Sequence, residues 1–288
     1  MLAAQVSQFD PVAFYVPIPW VTWLPVRWYA LSYVAGLLLG WWYLVRLLKI
    51  ERLWAGAPFN GKRPLTQEQV GDFFVWAALG VILGGRIGYV LFYGLVYNTR
   101  DFLDNPLLVF QPWNGGMSFH GGLLGVVLAI FLYARWIKID VVQLGDLVAA
   151  VTPIGLFFGR IANFINGELW GKPSSVPWAM IFPHADLQTR HPSQLYEAGL
   201  EGVVLFAILN LLIFRYEALR KPGLVIAVFF AGYGLFRIIV EAFFRDSDQL
   251  IFGGPITMGQ VLSLPMWIGA GFFFWYALYR ERSTPSKA

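Results

Sequence analysis

Long apolar stretches alternate with short polar segments along almost the whole chain. A helix that crosses a membrane needs about 20 mainly apolar residues. Stretches of this kind, with ends defined to roughly three residues, are found at 28–48, 70–94, 117–134, 144–162, 196–214, 222–243 and 257–279. The pattern therefore predicts an all-α polytopic membrane protein with about seven transmembrane helices. The pattern does not decide whether the third and fourth stretches are separate helices, so a shorter count with one re-entrant segment stays open.

Two of the polar segments between the spans are longer than the rest. Residues 95–116 form one, and residues 163–195, which are rich in Asn, Gly, Ser and Pro, form the other. Loops of about 30 residues are uncommon in compact domains and are usually functional. We expect 163–195 to form a small cap outside the membrane, with a short hairpin around Trp178–Phe182. The whole chain, 1–288, is expected to be a single transmembrane domain.

The composition agrees with this pattern. Hydrophobic residues make up 58% of the chain and charged residues 13%, whereas a soluble globular protein carries about 25% charged residues. So few charges cannot cover a surface that faces water, which excludes a soluble enzyme, a disordered chain and a nucleic-acid-binding domain. The N-terminal segment lacks the basic start and continuous apolar core of a signal peptide, so insertion is expected to depend on the spans themselves.

The basic residues indicate how the spans are oriented. The segments 46–69, 135–143, 215–221 and 280–288 would share one side of the membrane and carry 13 of the 21 Lys and Arg residues, while the opposite side carries six. Cytoplasmic loops are enriched in Lys and Arg. We therefore expect a cytoplasmic C-terminus and an N-terminus on the outer side, together with the segments 95–116 and 163–195.

Arg86, Arg160 and Arg237 lie at membrane depth on the second, fourth and sixth spans, each 15 or 16 residues past the predicted start. At 1.5 Å per residue this is roughly 24 Å into a core about 30 Å thick. One such arginine is explained by a side chain that extends to the interface. Three at one depth favour a shared pocket for a phosphate, because the guanidinium is a planar fork of charged donors. The anion found at that depth is a phospholipid headgroup.

Two further segments add candidate chemistry near the same face. His120 lies among glycines at the start of the third span; imidazole suits proton transfer at neutral pH, although a structural role for a lone histidine stays equally open. In the segment 159–171, Arg160, Asn163 and Asn166 share a helical face because they follow at intervals of three. Glu168 follows them and is a candidate to neutralise and orient an arginine.

Other polar positions are interpreted as structural. Tyr29 is expected to belong to an interfacial aromatic belt, although its hydroxyl is also placed to bond a headgroup. Asp146 opens the fourth span, where a helix N-terminus favours an acid. Ser193 is expected to cap the fifth span, with Glu197 near its first turn.

In their order along the chain, these segments resemble the prolipoprotein diacylglyceryl transferase family of bacterial inner-membrane enzymes. The stretch 159–171 is similar to the signature of the family, and the resemblance extends from about residue 27 to about residue 275. The other matching segments, in the expected order, are 85–89, 118–122, 191–197 and 237–245. Position 27 departs from the family, with Arg-Trp-Tyr where His-Trp-Tyr is frequent, and one extra residue precedes Arg245.

The resemblance implies transfer of the diacylglyceryl group of phosphatidylglycerol to the thiol of the lipobox cysteine of a prolipoprotein, with release of glycerol phosphate. It implies a multi-pass protein of the bacterial inner membrane with a periplasmic cap, no nucleic-acid partner, no cofactor and no metal. Arg160 and Arg237 would stabilise the departing phosphate, while Glu168 and Glu241 hold the guanidiniums. His120 is the third catalytic candidate, either as base or by positioning the lipid. The expected substrate-binding residues are Tyr29, Arg86, Asn163, Asn166, Glu168, Gly171, Glu241 and Arg245.

Two other classes of protein fit less well. An intramembrane protease needs a nucleophile, and Ser118 lies two residues from His120, so that their side chains point apart on a helix. A lipid or ion transporter is expected to carry polar residues through the full membrane depth, or inverted repeats with broken helices. Here the ionisable residues gather in the outer third.

Overall fold

The computed structural model describes residues 5–6, 10–17, 23–97, 99–111, 115–182, 184–246, 254 and 256–283. Within these ranges, seven helices are long and apolar enough to cross a membrane. They are Trp28–Lys49, Gln67–Gly94, Phe119–Ile137, Val141–Ile165, Ser193–Tyr216, Leu224–Phe243 and Met258–Arg280. The seven predicted spans are therefore confirmed as seven long apolar helices. The third and fourth are separate helices, so the shorter count is wrong.

The elements are numbered in chain order. The helices are α1 Trp28–Lys49, α2 Glu51–Trp54, α3 Gln67–Tyr89, α4 Leu95–Tyr97, α5 Thr99–Asp104, α6 Phe119–Ile137, α7 Val141–Ile165, α8 Ser193–Glu197, α9 Leu205–Tyr216, α10 Leu224–Phe243 and α11 Met258–Ser283. The strands are β1 Gln5–Val6, β2 Val12–Val16, β3 Leu24–Arg27, β4 Met180–Ile181 and β5 Thr189–Arg190. Turns with π-helical bonding, Val90–Gly94 and Ala198–Val204, extend α3 and join α8 to α9.

Polar residues just before the long helices define where they begin. Thr66 accepts a hydrogen bond from the Gln69 amide while the Gln69 side chain accepts one from the Thr66 amide, which is a capping box at the start of α3. Asp140 accepts from the amides of residues 142 and 143 at the start of α7. The predicted cap at Ser193 is wrong: Pro192 is the N-cap of α8, and the Ser193 hydroxyl donates instead to the Leu169 carbonyl at 2.9 Å.

The ends of α1, α6 and α9 meet the starts of α3, α7 and α10 at one end of the protein, which we call the Lys49 end. Tyr133 near the end of α6 donates to the Gln69 carbonyl at 2.7 Å. Buried Asp146 of α7 accepts from the amides of Gly223 and Ile226 at 2.7 and 2.9 Å. Asp146 is structural, as predicted, but its carboxylate accepts hydrogen bonds from backbone amides at the start of α10 and not from those of its own helix.

The apolar core is concentrated toward this same end. Fully buried side chains such as Leu44, Trp54, Leu144 and Leu209 belong to one hydrophobic cluster. The last turns of α7 and α10 lie at the opposite end, which we call the Arg160 end. The polar side chains buried there are therefore held by one another and not by the main apolar core.

Short strands lie at the Arg160 end. β4 pairs with β5 in an antiparallel hairpin, and β1 joins β4 in parallel. The hairpin expected around Trp178–Phe182 is thus present. A second hairpin, β2–β3, was not predicted, because four prolines between residues 11 and 25 hide the strand signal.

Candidate active site

Six charged side chains from three helical segments form one buried cluster at the Arg160 end. Arg160 comes from α7, while Arg237 and Glu241 come from α10 and Arg245 follows it. Glu197 ends α8 and Glu201 lies in the π-helical turn after it. We call this set the arginine–glutamate cluster: Arg160, Glu197, Glu201, Arg237, Glu241 and Arg245.

Glu197 connects all three arginines of the cluster. Its Oε1 accepts from Arg237 Nη1 at 2.5 Å and from Arg245 Nη1 at 2.8 Å, and its Oε2 lies 3.2 Å from Arg160 Nη1. Arg160 also donates from Nε and Nη2 to Glu201 Oε2, at 3.2 and 3.0 Å. Glu241 pairs with Arg237 and lies 3.6 Å from Arg245 Nε. Three formal positive charges thus meet three formal negative charges.

The two kinds of side chain differ in exposure. The glutamate side chains are 0%, 0% and 2% exposed, whereas the three arginine side chains are 13–15% exposed. Buried charges of this kind are tolerated only when they are paired. The arginine side chains are therefore the accessible part of the cluster, and the carboxylates are its buried part.

Asn163, Asn166 and Glu168 form a second group next to Arg160 in the sequence. Asn163 Nδ2 donates to Glu168 Oε1 at 2.8 Å, and Asn166 Nδ2 does so at 3.5 Å. The expectation that Glu168 holds an arginine is wrong in this structure, because its carboxylate accepts from these amides while Glu197 and Glu201 hold Arg160. Buried Asn166 Oδ1 has no hydrogen-bond partner within the described ranges.

Gly171 lies where three backbone segments meet. Its amide donates to the His191 carbonyl at 2.9 Å, and it is bridged to Arg245. A Cβ here would lie 2.5 Å from the Phe244 carbonyl oxygen and 2.6 Å from that of His191. The structure therefore gives Gly171 a packing role, which follows from the absence of a side chain.

Arg190 ties this junction together from the loop before α8. Its guanidinium donates to the Gly171 carbonyl at 3.1 Å, to Asp246 Oδ2 at 2.5 Å and to Asp186 Oδ2 at 2.8 Å. These bonds lower the pKa of Asp186 and raise that of Arg190. His191 next to it lies 3.0 Å from the Tyr196 hydroxyl, and partial burial lowers the pKa of its imidazole.

Arg86 does not join the arginine–glutamate cluster. It donates from Nε to the Val109 carbonyl at 3.0 Å and from Nη1 to the carbonyls of Gly115 and Gly116 at 2.7 and 2.9 Å. Its Nη2 donates to the Leu108 carbonyl. The predicted pocket of three converging arginines is thus wrong for Arg86, because its guanidinium donates to the backbone carbonyls of residues 108, 109, 115 and 116. Arg245, a separate prediction, is the third arginine of the cluster.

His120 and Tyr29 lie outside this hydrogen-bonded cluster. His120 is exposed in the first turn of α6, packs its ring against Phe119 and has no hydrogen-bond partner among the residues that the structure describes. Tyr29 is half-buried at the start of α1, with its ring centroid 5.1 Å from that of Tyr33. Neither makes an ion pair or a hydrogen bond to a cluster residue within the described ranges.

Sequence reasoning missed Glu201 and assigned Glu197 to a helix start. The signal that marks both is the one applied to the arginines, since an acid inside an apolar span is expected to be functional or paired. Glu197 and Glu201 are also four residues apart and so share a helical face. Arg190 carried no comparable signal, because its partners Asp186 and Asp246 lie in different loops.

The fold and the cluster define a multi-pass membrane protein with a buried ionic site toward one end of its helices. A family model described as prolipoprotein diacylglyceryl transferase matches residues 15–276. The chain belongs to this family, which confirms the resemblance seen in the sequence.

Named relatives cover almost the whole chain. The phosphatidylglycerol–prolipoprotein diacylglyceryl transferase of Rhizobium meliloti (strain 1021) is 52% identical over 284 residues, which are 98% of this chain and 95% of the relative. The protein of the same name from Brucella anthropi is 52% identical over 281 residues, 96% and 94% of the two chains. That of Rhodopseudomonas palustris is 51% identical over 284 residues, 97% and 94%.

Proposed function

We propose that the chain transfers the diacylglyceryl group of phosphatidylglycerol to the thiol of a prolipoprotein lipobox cysteine at the arginine–glutamate cluster. Relatives that share about half of its residues over nearly its full length are named for this transfer. In the reaction a C–S thioether bond forms at the glycerol carbon, the bond from that carbon to the phosphate oxygen breaks, and glycerol phosphate leaves. The thiol proton passes to a base.

The difference in exposure within the cluster is the observation that supports this site most directly. Arg160, Arg237 and Arg245 are 13–15% exposed, while their carboxylate partners are at most 2% exposed. A phosphate that approaches the cluster therefore meets arginine side chains before it meets the carboxylates. Because the carboxylates already hold these guanidiniums in place, no reorganisation is needed as negative charge builds on the leaving phosphate.

The other predicted residues take supporting roles in this proposal. Asn163 and Asn166 are placed on the helical face of Arg160 to contact the headgroup, and Glu168 orients Asn163. Tyr29 at the start of α1 is proposed as a further headgroup contact. His120 is proposed as the base, or as a residue that positions the lipid, because its imidazole is exposed and has no hydrogen-bond partner in the described part of the chain.

We propose that the Lys49 end faces the cytoplasm. The excess of Lys and Arg in the segments at that end, 13 against six, supports this orientation. The segments 95–116 and 163–195 are then periplasmic insertions into one transmembrane domain, 1–288, and Arg86 anchors the first of them. The bacterial origin of the relatives supports a place in the cell inner membrane, where the cluster lies toward the outer leaflet.

A direct test is to incubate the purified protein with phosphatidylglycerol and a lipobox peptide and to measure the peptide mass. We expect a diacylglyceryl adduct that requires both substrates. Lipid movement across vesicles without an adduct would instead indicate a transporter.

Arg160→Lys and Arg237→Lys test the role of the guanidiniums. Lysine keeps the charge but loses the planar fork, and loss of a transition-state donor typically costs about 100-fold or more in turnover. We expect at least this loss in the adduct assay for each variant. Arg215→Lys is the matched control, because Arg215 is exposed at the Lys49 end, and its side chain packs over the Tyr216 ring and has no hydrogen bond or ion pair among the described residues. Full activity in both cluster variants would contradict the proposal.

His120→Gln tests the proposed base. General-base catalysis contributes about 100-fold to 10,000-fold, so we expect turnover to fall by at least the lower figure while binding of phosphatidylglycerol stays nearly unchanged. His184→Gln is the control, since His184 is also exposed but lies in the loop between β4 and β5. Near-normal turnover of His120→Gln would exclude a catalytic role, and lost lipid binding would assign the histidine to positioning.

A further inference from the structure

A second concave surface lies at the Lys49 end, away from the arginine–glutamate cluster. It is a groove of about 610 Å³ between α1 and α9, with one residue of α7 at its base. Its apolar walls include Leu39, Trp42, Ile50, Ile154, Phe206 and Phe214. Tyr43 donates to Asn210 Oδ1 at 2.5 Å, so these two polar side chains satisfy each other and leave the walls apolar.

Two cations stand on the rim of this groove. Arg46 and Lys49 both line it and both are exposed. Neither has a carboxylate partner among the described residues; Arg46 only packs over the Trp42 ring, with Cζ 5.2 Å from the ring centroid. Arg52, by contrast, is held by the Phe214 carbonyl at 3.0 Å. None of the described residues that line the groove is acidic.

The charges and the apolar walls are separated along the groove. On α1 the groove extends from Leu39 to Lys49, which at 1.5 Å per residue is about 15 Å. Arg46 and Lys49 lie in the last turns of this helix, and because α1 is long and apolar enough to cross a membrane, we expect its last turns at the level of the polar headgroups. From these two residues the apolar walls extend toward the middle of the membrane. Their length is comparable to most of the length of a lipid acyl chain.

We propose that this groove binds an anionic glycerophospholipid from the leaflet at the Lys49 end, with its phosphate between Arg46 and Lys49 and one acyl chain along the apolar walls. Unpaired cations favour a lipid with net negative charge over a zwitterionic one, because the zwitterion brings its own ammonium group to the rim. The site is distinct from the arginine–glutamate cluster, which lies toward the opposite ends of the helices.

Native mass spectrometry of the full chain in detergent tests this site. The probes are phosphatidylserine and phosphatidylcholine with identical acyl chains. We expect wild type to bind phosphatidylserine more tightly, and Arg46→Gln/Lys49→Gln to lose roughly tenfold or more in that affinity with little change for phosphatidylcholine. The matched control is Arg135→Gln/Lys138→Gln, which removes two exposed cations at the same end, outside the groove.

Two results on charge selectivity would overturn the proposal. Equal losses in both double variants would show that surface charge alone attracts the lipid, and equal affinity of wild type for the two lipids would remove the anion selectivity. A dihexanoyl phosphatidylserine arm tests the groove walls, because a short chain buries less apolar surface and should bind manyfold more weakly. Binding equal to that of the long-chain lipid would also contradict the proposal.

Measurement of the transfer activity shows whether the groove acts independently of the proposed active site. With saturating phosphatidylglycerol, Arg46→Gln/Lys49→Gln should form the peptide adduct at the wild-type rate. Loss of anionic lipid binding with full adduct formation supports the groove as an independent site. Loss of both would mean that the variant affects the transfer site, and would contradict the separation.

Discussion

At the scale of single residues, the arginine–glutamate cluster is organised around Glu197. This fully buried carboxylate contacts three guanidiniums that come from α7, α10 and the segment after α10. A complete buried ion pair contributes little to the stability of the folded protein, because the cost of desolvation offsets the attraction. Removal of one partner is costly, because it leaves a buried charge without compensation. Loss of the Glu197 charge therefore affects three arginines at once, and we expect it to destabilise the folded protein.

Glu197→Gln should destabilise the protein, because the cluster would keep three positive charges and lose one of three negative ones. Breaking a buried pair typically costs about 3–5 kcal/mol, so we expect a clear drop in the thermal unfolding midpoint in detergent, together with loss of adduct formation. Glu217→Gln is the control: it breaks a pair with Arg220 in which both side chains are 24–35% exposed, and such pairs contribute at most about 1 kcal/mol. Similar midpoints for the two variants would contradict this account.

Residue types and spacing selected three members of the site, and the family resemblance added Arg245. Arg160, Arg237, Glu241 and Arg245 were all expected from the sequence, and the structure brings them together. Arg86 looked equivalent to Arg160 in its local sequence, yet its donors go to backbone carbonyls. Local sequence sets the depth of a side chain in the membrane, but not which neighbour it faces.

At the scale of elements, the closest packing is between α3 and α6. Gly80 and Gly84 of α3 face Gly121 and Gly125 of α6, so closely that a Cβ on Gly125 would lie 1.9 Å from the Gly80 carbonyl oxygen. Small residues allow such close approach of helices in membranes. The contact fixes the start of α6, which carries His120, against the end of α3, which carries Arg86.

Gly125→Ala should force these two helices apart. Overpacking of this kind costs about 1–3 kcal/mol, which outweighs the roughly 1 kcal/mol of helix propensity that alanine adds. We expect a lower thermal unfolding midpoint in detergent. Gly122→Ala is the matched control on the same helix, because its Cβ would lie at an ordinary 3.5 Å from the Val81 carbonyl oxygen. A midpoint at or above wild type for Gly125→Ala would contradict the close contact.

At the scale of the whole molecule, the loop between α7 and α8 is joined to the end of α10. Gly171 pairs with Arg245 and Lys172 donates to the Phe244 carbonyl at 2.7 Å. Arg190 links the same loop to Asp246. The position of Arg245 therefore depends on the loop between α7 and α8 as well as on α10. Loss of structure in this loop is expected to disturb the arginine–glutamate cluster.

This connection predicts a dependence on pH. The pKa of His191 is lowered from its ordinary value of 6.5 by burial, so the unfolded chain takes up a proton at a higher pH than the folded protein. His191 therefore does not lower the free energy of unfolding above pH 6.5, and this free energy decreases as the pH drops below 6.5. We expect the thermal unfolding midpoint of wild type to decrease from pH 7.5 to pH 5.5 more steeply than that of His191→Gln. His184→Gln should keep the wild-type slope, and identical slopes for wild type and His191→Gln would contradict the prediction.

The sequence by itself determined the class of protein, the positions of the apolar stretches and the family. Each of these depends on local properties: the length of apolar stretches, the scarcity of charge and short motifs in a fixed order. The tertiary structure alone decided which charges pair. Arg160 pairs with Glu197 and Glu201, and Glu168 accepts a hydrogen bond from Asn163. Arg86 donates to backbone carbonyls that precede α6. Pairing depends on how helices distant in the sequence rotate against one another, and that rotation is set by packing across the whole molecule.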